Sequence, residues 1–62
     1  MSGLVAAAEK HLVLLAEDVD APRSVERYYV ELAYTYGVGV DRISELSGVP
    51  VVRVRAHLVG GG

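Results

Sequence analysis

Apolar residues in the first third of the chain recur at spacings of three and four: Val5, Ala8, Leu12, Leu15 and Val19. That period predicts a helix over about residues 3–19. Its alanines and the lack of an internal Gly or Pro favour helix further. The run Leu12-Val13-Leu14-Leu15-Ala16 is apolar around most of the circumference. Such a helix needs more than one partner, one face covering the domain and another meeting a second copy. Alternatively, Val13 or Leu14 is an isolated exposed residue, which is common. Asp20-Ala21-Pro22 marks a boundary, with Asp20 or Ser24 able to cap the next helix. That second helix, over 22–36, places Val25, Tyr29, Leu32, Ala33 and Tyr36 on one face. Arg23, Arg27 and Glu31 lie on another face, at a spacing that allows weak pairing. Gly37 is the expected left-handed residue after that helix.

The third segment is the most informative. Asp41 can cap it, and Ile43 and Leu46 point inward. Ser44 and Ser47 are small enough to let another helix approach. Gly48 supplies a left-handed turn, Val49 an apolar plug, and Pro50 the φ of a first helical turn. Val54 and Leu58 then return to the core at i, i+4. An apolar residue, a small residue, a Gly-hydrophobic turn and a Val five positions on are matched by Ile43, Ser44, Gly48, Val49 and Val54. Here the chain resembles the helix-turn-helix of lac-repressor-type and related bacterial and phage regulators. The resemblance covers roughly residues 40–59. It implies that the segment from Pro50 enters the major groove of DNA, with Val51, Val52, Arg53, Arg55 and Ala56 presented to it and Arg42 near the backbone. Two features depart from the pattern. The positions after the turn are apolar, and valine carries no hydrogen-bond code beyond contact with a thymine methyl. Moreover, Val52, Val54, Ala56 and Leu58 alternate with Arg53, Arg55 and His57, which is a strand pattern. A lone strand would need another copy to pair with, so helix is the expected state.

Sixty-two residues make one small domain over 1–62. A chain of that size buries only about 60% of its unfolded surface. It has no cysteine, so neither a disulfide nor a thiolate metal site adds stability. Self-association through the first helix is therefore expected, with Val5, Ala8, Leu12, Leu14, Leu15 and Val19 as interface candidates. The net charge of −2 argues mildly against nucleic acid. However, residues 1–22 carry −3, residues 23–39 cancel, and residues 40–62 carry +1. Any basic face is small, so few phosphates can be neutralised. No apolar run approaches the roughly 20 residues that span a bilayer. Nothing reads as an export signal, which makes the cytoplasm the default.

Candidate catalysis is thin. His11 and His57 lie on different elements without a ligand cluster. Gly37-Val38-Gly39 lacks the third glycine of a dinucleotide loop. The tyrosines at 28, 29, 34 and 36 could stack on bases, but their spacing suits packing better. No metal or cofactor is expected, nor an enzyme. Gly60-Gly61-Gly62 reads as a flexible tail. The expected fold is all-α, with three or four helices, the last two forming a helix-turn-helix, dimeric through the N-terminal helix. The expected function is a small DNA-binding regulator or recombination accessory factor. The alternative is a protein-interaction or assembly module, such as a small phage-like protein that binds a host factor or itself.

Overall fold

A computed structural model describes residues 3–60 as four helices: α1 (Gly3–Glu17), α2 (Arg23–Thr35), α3 (Val40–Ser47) and α4 (Val51–Gly60). The core joins Ala8, Leu12 and Leu15 of α1 to Val30 and Ala33 of α2, Ile43 of α3 and Val54 of α4, with Val38 and Val49 from the connections. No aromatic ring belongs to this buried set, and Tyr29 packs at its edge. Leu12, Val30, Ile43 and Val54 are fully enclosed. Each such side chain contributes about 1.5–3 kcal/mol of burial free energy. α1 packs on α2 and α3, and α4 packs on the same two helices. Among the described residues, α1 and α4 make no close approach to each other.

α1 ends two residues before the expected Val19. The Asp18 carboxylate accepts the Asp20 amide at 3.2 Å, and the Ala21 amide donates to the Asp18 carbonyl at 3.2 Å. This turn lets an aspartate side chain compete with the helix ladder. Acidic residues are also unfavourable at the negative end of the helix dipole. Val19 sits in the turn, 92% exposed.

Neither Asp20 nor Ser24 caps α2. Pro22 occupies the capping position at φ −63°, its carbonyl accepting the Val25 and Glu26 amides at 3.0 Å each. The inward face also differs from the expected one. Glu26, Val30 and Ala33 are buried, whereas Val25 and Tyr36 are each more than one-third exposed. The helix is thus rotated by about one residue, or roughly 100°, which turns Glu26 toward Arg53 and His57 on α4. A Schellman motif ends α2. The Gly37 amide donates to the Tyr34 carbonyl at 3.0 Å, and the Val38 amide to that of Ala33 at 2.9 Å. Gly37 has φ +104°, as its position after the helix leads one to expect.

α3 starts two residues earlier than an Asp41 cap requires. Gly39 holds the capping position, and its carbonyl accepts the Ile43 amide at 2.9 Å. Asp41 instead lies in the first turn, where a carboxylate complements the helix dipole. At the other end, Gly48 takes φ +77° and Val49 is buried, as anticipated. Two serines lace this turn. The Ser44 hydroxyl donates to the Val49 carbonyl at 2.6 Å. The Ser47 hydroxyl donates to the Ile43 carbonyl at 2.6 Å and accepts the Val49 amide at 3.2 Å. Pro50 then precedes α4, and its carbonyl accepts the Arg53 and Val54 amides at 2.9 Å each. Residues 51–60 are helical, so the alternating pattern forms no strand. Gly60 closes α4 rather than opening a tail, and positions 61 and 62 lie outside the described residues.

Candidate functional site

At 100° per residue, α4 presents three zones. Val54 and Leu58 face the core. Val52, Arg55, Ala56 and Val59 face outward, Val52 and Val59 being 81% and 85% exposed. Arg53 and His57, one turn apart, lie on the flank that meets α2. Of the residues expected at a DNA surface, Val52, Arg55 and Ala56 therefore share one open face, with half-buried Val51 at its edge. Arg55 has no partner among the described residues.

The other two expected contacts are held elsewhere. Arg53 donates from Nε to Glu26 Oε2 at 2.8 Å and from Nη2 to Oε1 at 3.1 Å, a bidentate fork. Arg42 pairs with Glu9 at 3.2 Å and Glu45 at 2.9 Å, tying α3 to α1. Its hydrogen bond to the Glu45 carboxylate, reinforced by the one to Glu9, raises its already high pKa.

Glu26 is the residue that sequence reasoning missed. It is 8% exposed, in the first turn of α2 on the buried face it shares with Val30 and Ala33. His57 Nε2 lies 2.7 Å from Glu26 Oε2. Burial pushes the Glu26 carboxyl up, but hydrogen bonds and charge from Arg53 and His57 outweigh it, and the net shift is downward. A carboxylate only accepts, so the proton of the His57 contact is carried on Nε2. No buried side-chain polar atom among the described residues is left without a partner. The signal available in the sequence was the pair Arg53 and His57, two hydrogen-bond donors at i, i+4 on α4. Position 26 falls in phase with Val30 and Ala33. An open cleft of about 260 Å³ lies beside this cluster, bounded by Asp18 and Arg23 on one side and by Ser47 and Gly48 on the other. Its walls mix both signs of charge.

The interface expected on α1 divides in two. Ala8, Leu12 and Leu15 are buried in the chain's own core, and Val5 packs against it. Ala8, Leu12 and Leu15, enclosed there, cannot also meet a second copy and are core rather than interface residues, whereas Val5 is half-buried at the core's edge. Leu14 remains 50% exposed, with Val13 and Leu4 also open. Val19 is exposed but lies beyond the helix. Among the tyrosines, Tyr29 stacks on His11 at 5.5 Å between ring centroids and meets Tyr28 edge-on at 5.4 Å. Among the described residues no group of three or more His, Cys, Asp or Glu could hold a metal ion. No helix there is long and apolar enough to cross a membrane. Comparison of the chain with protein-family models, with curated proteins and with solved structures returned no match.

Proposed function

We propose that α3, the Gly48–Pro50 turn and α4 form a helix-turn-helix, and that the chain is a small DNA-binding regulator or recombination accessory factor acting as a homodimer. The carrying observation is the outer face of α4. It begins directly after the left-handed Gly48 turn, stands clear of the core, and holds Arg55, which is unpaired among the described residues. Arg55 can fork onto the O6 and N7 of a guanine, and Val52 can rest against a thymine methyl. Arg53 stands outside this contact set, because Glu26 occupies its guanidinium. With so few open cations, affinity is modest and its salt dependence shallow, about −1 to −2 in log–log slope per protomer.

Fluorescence titration of random and selected duplexes at low salt tests this. Arg55→Ala is expected to lower affinity for the selected duplex at least tenfold and to flatten discrimination between duplexes. Arg23→Ala removes the same charge from α2 and is expected to cost less. Failure of any duplex to bind the wild-type chain rejects the proposal. A second reading, an interaction module on the same fold, is favoured by one observation. Val52, Ala56 and Val59 make an exposed apolar row along α4. It replaces the first if duplexes fail to bind while Val52→Asp abolishes binding to a protein partner.

A further inference from the structure

We infer that Glu26 is an intramolecular competitor of DNA for Arg53, a buried carboxylate that keeps this arginine off the phosphate backbone. The inference rests on the DNA-binding reading of α4 and adds a second layer to it. Arg53 lies about 100° around the helix from Val52 and about 60° from Ala56, at the rim of the outward face. A guanidinium extended from that position would reach the strand flanking the groove-facing residues. In the structure it turns the other way. Its Nε and Nη2 both bind Glu26, and the side chain stays only one-third exposed. His57, one turn further on, closes on the same carboxylate at 2.7 Å. The geometry matches a phosphate contact in kind: two parallel N–H donors on two oxygens of one anion. The Glu26 carboxylate and a backbone phosphate would thus compete for the same two donors. Arg53 is therefore withheld on this flank, and of the arginines on α4 Arg55 alone faces outward.

The test is the slope of log affinity against log salt, a quantity that counts phosphates neutralised and that loss of fold stability does not steepen. Glu26→Gln keeps the shape of the side chain and removes its charge. It is expected to steepen the slope by about 0.9 per protomer, equivalent to roughly three- to fourfold more affinity lost between 50 and 200 mM salt. Glu17→Gln removes the same charge from the exposed end of α1 and is expected to leave the slope as it was. The double variant E26Q/R53Q is expected to return to the wild-type slope. Far-UV circular dichroism verifies that each variant is helical. Should E26Q fail to fold, Arg53→Gln alone decides, since it leaves the slope unchanged only if Arg53 makes no phosphate contact. Wild-type binding with an unsteepened E26Q slope, or a shallower R53Q slope, overturns the inference and leaves the DNA reading standing. Absence of duplex binding by the wild type overturns both.

Discussion

Gly48 holds its place through backbone geometry rather than space. A Cβ built there would meet nothing within 4 Å, but φ is +77°. Gly48→Val forces a β-branched residue into the left-handed region and is expected to cost about 1–3 kcal/mol in equilibrium denaturation. Unchanged stability would contradict the left-handed turn. Glu26 makes the opposite case, because its place depends on partners far along the chain. Its pairings span 27 and 31 positions, so no local pattern announces them. The glycine was legible because positive φ is a property of one residue. The buried glutamate was harder to read, since its phase with Val30 and Ala33 becomes meaningful only once α4 is known to bring Arg53 and His57 against it. Its titration has a defined consequence. The folded carboxyl lies below its ordinary 4.5, so the native state binds the proton less readily than the unfolded chain. The resulting stability is complete above about pH 4.5 and is lost as pH falls through the lowered folded value. Urea midpoints between pH 7 and 3 are expected to fall less steeply for Glu26→Gln than for wild type. Parallel curves would show that Glu26 contributes nothing to acid unfolding.

At the scale of elements, α4 shows how tertiary contact decides between two periodicities. The alternation of Val52, Val54, Ala56 and Leu58 suits a strand, but only Val54 and Leu58 find a core. The four-residue step between them is the helical signal, and it prevails because no neighbouring strand exists among the described residues to satisfy an extended backbone. The two states assign opposite roles to Val52. A strand buries it with Val54, whereas the helix leaves it in solvent. Val54→Ala is therefore expected to cost about 2 kcal/mol in chemical denaturation. Val52→Ala should shift stability by less than about 0.5 kcal/mol. Comparable losses at both sites would favour the extended alternative. The other helices were legible as elements, with ends displaced by one or two residues. Those displacements come from caps that the backbone supplies. Pro22 and Gly39 take the positions that Asp20, Ser24 and Asp41 were expected to fill, and neither makes a side-chain capping bond.

The whole molecule is small, with a Cα radius of gyration of 10.4 Å and extents of 30 × 24 × 17 Å. The apolar stripe of α1 was readable as a face, but which of its two apolar sides served the core was not. The choice depends on the rotation of α2 and α3 against it. With Leu12 and Leu15 spent internally, Leu14 and Val13 are left for a second copy. Sedimentation is expected to find a homodimer at high micromolar concentration and a monomer for Leu14→Glu. A strictly monomeric wild type at that concentration removes self-association from the proposal. The separation of α1 from α4 then acquires a geometrical meaning. A homodimer formed through Val13 and Leu14 of α1 would leave α4 out of the contact, since among the described residues α4 packs only on α2 and α3. Equivalent half-sites on one side of a duplex lie about 34 Å apart, one full turn. If the proposed homodimer binds DNA, its operator would be an inverted repeat with its two arms about ten base pairs apart, centre to centre. Its unread central pairs would act only through their ease of bending.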